Sequence, residues 1–348
     1  MKTLKLKSIA ALTFVLFLGL QVFAGGLEEY KREYHESYKV NSDVVLTVSN
    51  KYGFVKIVTG ETDQITIDVK ISVEAKNQEK AQKLFDQISI ELSGSSSKVT
   101  AITRLKNNSK FKELSIDYTI SMPVTGNLDA TNKFGSFYLN EINGNSKIYV
   151  AYGSADIGNL NSKTNDLTVK FGRGKVKYAH YLNYTSQYSS AKVGRAKLLT
   201  LNNQYGSITV GEVGRMTLTN AYGDAELGTI VELKMKTKFG DVEVDAVISK
   251  IDIDTQYGDI EIDFISKDFG NVTIDSSFGD VDIAFESGSN FILEGKASFG
   301  DISIPNGTIS SVNDNGNSES YSGKMFEGTT PSVVKARMSY GDLDISIR

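Results

Sequence analysis

An all-β fold, a parallel β-helix solenoid with right-handed coiling favoured, is what this sequence predicts. The first observation behind that expectation is a period. An aromatic residue followed by glycine recurs at Gly135, Gly153, Gly172, Gly206, Gly223, Gly240, Gly258, Gly279, Gly300 and Gly341, and Tyr188-Ser189 stands in for one further copy. The intervals run 18, 19, 17, 17, 17, 17, 18, 21 and 21, with a last interval of 41, about two periods. Self-similarity on this scale marks a small unit that cannot bury its apolar side alone and stacks on copies of itself. The second observation is alternation on both sides of the glycine. Pairs such as Ile208/Val210, Ala225/Leu227, Val242/Val244 and Ile260/Ile262 follow it, and pairs such as Leu199/Leu201, Met216/Leu218 and Leu233/Met235 precede it. Each pair reads as a short strand with one buried face.

The third observation is that the two inward sets are out of phase by one residue, so the chain must be re-aimed between them. Glycine supplies a positive φ or a bulge without steric cost, and a following Asp or Ser bonds nearby amides, so Gly-Asp reads as a corner. Another apolar position falls seven residues after the glycine, in Val213, Ile230, Val247 and Ile265. Three short faces and three corners in ~17–21 residues describe one coil, with coils stacked at about 4.8 Å. The competing architecture makes each Tyr-Gly-Asp a hairpin turn in an antiparallel sandwich. Two-residue hairpins place Asn or Asp before the glycine, whereas here the acid follows it.

Element by element, residues 1–24 read as a secretory signal: Lys2, Lys5 and Lys7 precede an apolar run from Ile9 to Leu20, and Val22-Phe23-Ala24 suits cleavage, giving a mature chain from about Gly25. The run is shorter than the ~20 residues of a spanning helix, and the mature chain offers no later span. Residues 25–125 form a strand-rich N-terminal cap. Val44–Val48, Val55–Val58, Ile65–Val73, Ile88–Leu92, Val99–Thr103 and Leu114–Met122 alternate as strands, and Asn77 caps a single short helix reaching Phe85. Residues 126–348 form the repeat domain. Within it, 306–331 is rich in Ser, Asn and Gly and is expected to be a long exposed loop.

Composition narrows the chemistry. The chain has 348 residues, 40% hydrophobic, and no cysteine, which excludes disulfides, thiolate metal sites, a cysteine nucleophile and a lipid-modified cysteine. The formal charge of −4 becomes −7 without the three signal lysines, which argues against a nucleic-acid partner. Charge is segregated: residues 163–197 hold eight Lys/Arg against Asp166, and 241–286 hold thirteen Asp/Glu against Lys250 and Lys267. Such polarity along a rod would favour head-to-tail self-association through open coil ends.

The early Tyr52-Gly53-Phe54-Val55, the helix at 77–85, Ile120-Ser121-Met122-Pro123-Val124 and the Phe/Tyr-Gly-Asp repeats together resemble the bacterial putative-adhesin family of exported β-helix proteins. The resemblance covers nearly the whole mature chain. It implies a solenoid fold and a cell-envelope location, periplasmic or at the surface, and it brings no catalytic motif.

Candidate sites are few. His35 and His180 are the only histidines, His35 in a charged lead-in and His180 on a coil face. Asp224, Asp241, Asp259, Asp280, Asp301 and Asp342 form a corner column, shadowed by Glu226, Glu243, Glu261, Asp282 and Asp344. Stacked carboxylates repel, which Ca²⁺ would relieve; corner capping and screening by water and salt is the simpler reading and needs no cofactor. The aromatic column Tyr205, Tyr222, Phe239, Tyr257, Phe278 and Phe299 shares its parity with the inward aliphatics and is expected inside. Tyr178, Tyr181, Lys175 and Lys177, with Tyr184, Tyr188 and Lys192 nearby, are offered as an exposed aromatic and basic patch for an anionic glycan. The expected function is a noncatalytic adhesin-like binding or scaffold protein of the envelope with a glycan or protein partner. The alternatives are a polysaccharide-acting β-helix enzyme and a periplasmic structural or envelope-stress component. Acids repeating once per coil are a lattice, unlike the few irregular residues of a catalytic site.

Overall fold

A computed structural model describes residues 27–107, 110–305, 308–314, 316–325 and 332–348. The signal-like residues 1–24 lie outside them. The chain divides into two compact units, one ending at Ile157 and the other starting at Gly158.

The first unit contains β1 (Glu28–Lys39), β2 (Val45–Lys51), β3 (Val55–Gly60), β4 (Gln64–Ala75), helix α1 (Gln78–Phe85), β5 (Ile88–Gly94), β6 (Lys98–Leu105), β7 (Leu114–Pro123), β8 (Asn127–Lys133), β9 (Phe137–Ile142) and β10 (Ser146–Ala151). β1, β4 and β7 pair antiparallel, and β7 continues in parallel through β3 to β9. The hairpin β5–β6 continues in parallel from β6 through β2 and β8 to β10. The six stretches expected as strands are found, and so is the helix, where Asn77 Oδ1 accepts the Lys80 amide at 3.0 Å. Ala81 and Phe85 are its buried residues, and the Arg32 guanidinium lies 4.5 Å over the Phe85 ring. The unit's interior is aliphatic, with Leu46, Ile57, Ile67, Ile71, Ile116 and Ile120 sealed from solvent. Polar cross-ties enter this core: the Tyr118 hydroxyl meets Thr103 Oγ1 at 2.9 Å, and Asn50 Nδ2 donates to the Ile116 carbonyl at 2.8 Å. Burial pushes the Tyr118 phenol up to about 12.

One correction falls at the start. The lead-in from Glu28 is a strand of twelve residues, β1. Its charges hid a period of two: Tyr30, Tyr34 and Tyr38 share one parity and lie half-buried, while Glu33, His35 and Ser37 point outward.

β11 (Ser154–Leu160) spans the division. The second unit continues with β12 (Asn165–Lys170), β13 (Arg173–Gln187), β14 (Ser190–Gln204), β15 (Ile208–Tyr222), β16 (Ala225–Phe239), β17 (Val242–Tyr257), β18 (Ile260–Ile265), β19 (Asn271–Ser277), β20 (Val281–Phe285), β21 (Phe291–Ser298), β22 (Ile302–Ser303), β23 (Thr308–Asp314), β24 (Ser318–Met325), β25 (Ser332–Ser339) and β26 (Leu343–Ile347). Its repeats pair in parallel: Ile208 faces Ala225, which faces Val242, then Ile260 and Val281. The hairpin alternative is thereby excluded for the repeats. Within a coil the buried positions fall where the sequence placed them, at Ile208, Val210, Val213, Met216 and Leu218. The stretch expected as one long loop carries β23 and β24, an antiparallel pair whose second strand also pairs antiparallel with β21.

The corner glycines hold the stack at backbone-to-backbone distance. A Cβ built on Gly206 would lie 1.9 Å from the Ser189 carbonyl oxygen, on Gly223 2.2 Å from that of Gly206, and on Gly240 2.3 Å from that of Gly223. The positive φ is shared differently from expectation. It belongs to the aromatic at Phe171, Tyr188, Tyr205, Phe278, Phe299 and Tyr340, with φ between 50° and 60°, and to the glycine at Gly223, Gly240 and Gly258, with φ of 121–125°. A left-handed aromatic costs roughly 1–2 kcal/mol, so something must hold it there.

Gly240→Ala adds a methyl group against a carbonyl and forces a residue with a Cβ to φ +121°. It is expected to cost about 3 kcal/mol and to lower Tm clearly. Gly60→Ala, where nothing lies within 4 Å, is expected to leave Tm nearly unchanged. Thermal unfolding of the two variants beside the parent checks this.

Candidate binding face

The re-aiming at each corner turns the aromatic side chain out of the coil, which overturns the expectation of an internal stack. In strand β14 the buried positions run Leu199, Leu201 and Asn203, and parity would put Tyr205 inside next; its φ of +59° swings the ring outward to 46% exposure. Phe171, Tyr188, Tyr205, Tyr222, Phe239, Tyr257, Phe278, Tyr340 and Phe299 form one external ladder in the second unit. Successive centroids lie 4.6–5.1 Å apart and the planes are within 12° of parallel. Tyr52, Phe134 and Tyr152 form a shorter ladder in the first unit. Each stacked pair contributes about 0.5–1.5 kcal/mol beyond area burial, enough to offset much of the backbone strain. Stacking consumes the ring faces. What the ladder presents to solvent is ring edges and a file of phenol hydroxyls.

Inside the corner, three residues before the glycine, runs a polar column that sequence reasoning missed: Ser186, Asn203, Asn220, Thr237, Thr255 and Ser276, all buried. Asn203 Nδ2 donates to the Gly206 carbonyl at 2.7 Å and to Asn220 Oδ1 at 2.9 Å, and Asn220 Nδ2 donates to the Gly223 carbonyl. These bonds satisfy carbonyls that the turn takes out of the sheet. The repeated Asn, Thr and Ser in one column was the available signal.

Beside the ladder lies the aspartate column. Each carboxylate accepts the backbone amide of the aspartate in the adjacent coil: Asp224 from Asp241 at 3.1 Å, Asp241 from Asp259 at 3.0 Å, Asp259 from Asp280 at 2.9 Å, Asp280 from Asp342 at 2.8 Å and Asp342 from Asp301 at 2.8 Å. The aspartates therefore stitch one coil to the next. Among the described residues, no group of three or more His, Asp or Glu side chains is arranged to hold a metal ion.

Two residues farther on, the outward column reads Lys175, Lys192, Thr209, Glu226, Glu243, Glu261, Asp282 and Asp344 in continuous parallel register. Two separate sequence candidates, Lys175 and the acidic column, thus belong to one line. Like charges stack on like. The strand before the corner is organised differently, with opposite charges paired between coils: Arg215 with Glu232 at 2.7 Å, Lys234 with Asp252 at 2.7 Å, Lys236 with Asp254 at 2.9 Å and Lys335 with Glu294 at 3.1 Å. Partial burial first, and then the Asp344, Glu261 and Asp280 carboxylates, raise Asp282 above its ordinary value.

The aromatic and basic patch is only partly assembled. Lys175 and Lys177 are exposed, Tyr178 and Tyr181 are half-buried, and in the next coil Tyr178 faces Arg195 and Tyr181 faces Leu198. Tyr188 belongs to the ladder. Tyr184 is fully buried, its phenol raised by burial, and so is removed from any exposed patch. His180 is half-buried on β13. On the first unit, a cleft of about 510 Å³ gathers His35, Asp68, Lys70, Asp117 and Phe54, with His35 Nδ1 2.6 Å from Asp68 Oδ1.

The profile of the Toastrack DUF4097 family matches residues 45–346, and the chain belongs to that family. Among curated proteins none matches. Of solved structures, the chain is similar to a putative lipid binding protein from Parabacteroides distasonis, at 11% identity and a TM-score of 0.35 over 90% of this chain and 96% of that one. It is also similar to a putative adhesin from Parabacteroides merdae, at 10% identity and a TM-score of 0.33 over 92% and 97%.

Asp282 supplies a pH test. Its carboxyl is raised in the fold above the ordinary value of 3.8. The native state therefore holds that proton more tightly than the unfolded chain. The contribution is present below about 3.8 and is lost as pH rises through the raised value. Asp282→Asn is accordingly expected to raise Tm at pH 7 and to leave it unchanged at pH 3, read from melting curves across that range.

Proposed function

We propose that the protein is an exported, noncatalytic, adhesin-like binding or scaffold protein of the bacterial cell envelope, periplasmic or surface-held, and that the ladder face of the second unit is where it binds. The observation that carries this reading is the contrast between faces. The strand before the corner pairs opposite charges coil against coil at Arg215–Glu232, Lys234–Asp252, Lys236–Asp254 and Lys335–Glu294, as a surface with only a structural role would. The corner and the strand after it place exposed aromatic rings and a carboxylate column stacked like on like side by side. Contiguous exposed apolar surface of this kind, rimmed by polar groups, marks interaction sites.

Edge-on rings with carboxylates beside them suit hydrogen bonding to a hydroxyl-rich chain such as an envelope glycan, through many weak contacts repeated every coil. A protein partner would use the same line. The signal-like residues 1–24 support export, right-handed coiling is retained as part of the reading, and no cofactor is required. The amide-bound aspartates support a noncatalytic role, since each of these carboxylates is already engaged in holding the corner.

The test is capture of purified envelope glycans and envelope proteins on immobilised residues 25–348, with and without calcium. The comparison is with a variant carrying Tyr188→Ala, Tyr205→Ala and Tyr257→Ala. Saturable binding that falls at least about tenfold in the variant, equivalent to roughly 1.4 kcal/mol, is the expected result. Equal capture by both proteins would move the site off the ladder, and calcium dependence would return the aspartate column to candidacy.

A further inference from the structure

The last levels of the second unit do not stack in chain order. β25 pairs in parallel with β19 on one side and with β21 on the other, and β26 lies likewise between β20 and β22. The Tyr340 ring is 4.9 Å from Phe278 and 4.9 Å from Phe299. Asp342 donates its amide to Asp280 and accepts the amide of Asp301, each at 2.8 Å. A Cβ on Gly341 would strike the Gly279 carbonyl, and one on Gly300 the Gly341 carbonyl. The chain passes over one level, builds the next with β21 and β22, and returns with residues 332–348 to fill the gap. This accounts for the long final interval in the repeat.

The filling segment is joined to β24 and to neither wall of the slot. Nearly all its contacts are ones that an ordinary coil makes with its neighbours; the exception is Arg348, which reaches past β20 to Asp263 on β18. Val334, Ala336, Met338 and Leu343 bury themselves in the shared core, and ladder bonds supply the rest. The segment pairs with each wall, Arg337 with Asp275 at 3.7 Å and Lys335 with Glu294 at 3.1 Å, and its last residue, Arg348, pairs with Asp263 at 2.9 Å. Partners across the gap lie 62 and 41 residues apart in the chain, against 17–21 for the aspartate bonds between earlier coils. Chain connectivity therefore selects the occupant less strongly here than between the earlier repeats of the second unit.

The geometry points to a strand-acceptor slot between β19–β20 and β21–β22 whose second occupant is residues 332–348 of another copy of this chain. Main-chain bonds supply the affinity and the alternate side-chain pockets the specificity, as in other strand additions. Because the exchanged segment is identical, the swapped form keeps every contact of the unswapped one and differs only in tethering, so it gains with concentration.

Since the chain has no cysteine, engineered thiols report without background. Ser277 and Ser339 are register partners across one wall of the slot. Ser277→Cys is placed in a copy with one affinity tag and Ser339→Cys in a copy with another. The two are co-expressed, treated with a short thiol-thiol crosslinker and purified through both tags. The control pair is Thr200→Cys and Thr217→Cys, register partners between β14 and β15. A covalent species carrying both tags for the first pair and none for the control is the expected result. The proposal is overturned by no two-tag species from the first pair while a single chain carrying both cysteines crosslinks internally. It is equally overturned by two-tag species from both pairs, which would report general aggregation.

Discussion

The contact on which the rest of the structure depends is the approach of one corner glycine to the carbonyl oxygen of the glycine in the adjacent coil. At 1.9–2.3 Å from a hypothetical Cβ, that approach leaves no room for a side chain at these glycines, whereas Ser189 holds the equivalent corner with its hydroxyl accepting the Gly172 amide. It sets how tightly coils stack at this edge, and it demands a positive φ at the aromatic or at the glycine. The aromatic ring is thrown outward as a result. Carbonyls released from the sheet pass to Ser186, Asn203, Asn220 and Ser276 of the buried column, and the next amide is met by a carboxylate from the adjoining coil. Ladder, polar column and aspartate column are three consequences of one backbone contact.

That dependence also explains why charge is distributed so unevenly between faces. Where a strand runs straight, several outward side chains of adjacent coils are opposite in sign and form exposed ion pairs, each worth little alone. At the corners from Gly223 onward the aspartate repeats because its carboxylate accepts the amide of the aspartate in the adjacent coil, whatever the neighbouring charge. The column two residues on has no such need, yet Glu226, Glu243, Glu261, Asp282 and Asp344 still stack like on like. Repulsion that structure does not require is the physical reason for assigning this face to binding.

Much of the architecture was legible because it rests on period and parity. The coil, its inward aliphatics at Ile208, Val210 and Val213, and the helix capped by Asn77 all follow from spacing and residue type. Several features resisted, among them three for separate reasons. Parity carried through Tyr205 put the ring inside, because alternation alone does not say that the backbone flips at that residue. The tyrosines of β1 were obscured by the charges between them. The order of the last coils could not be read, since near-identical repeats carry no label for which level they occupy; strand pairing and the stacking of Tyr340 on both Phe278 and Phe299 reveal it. Of the site candidates, the acidic column and Lys175 fell on one line, whereas Tyr184 went to the core.

The claim that the corner turns the aromatic column outward is tested most directly by hydroxyl-radical footprinting with mass spectrometry on the native protein. Tyr188, Tyr205, Tyr257 and Tyr340 should be oxidised readily, and Tyr118 and Tyr184, both 0% exposed, should be protected until the chain unfolds. Protection of the ladder tyrosines to the same degree as Tyr118 and Tyr184 would place the column inside the coil and contradict the account.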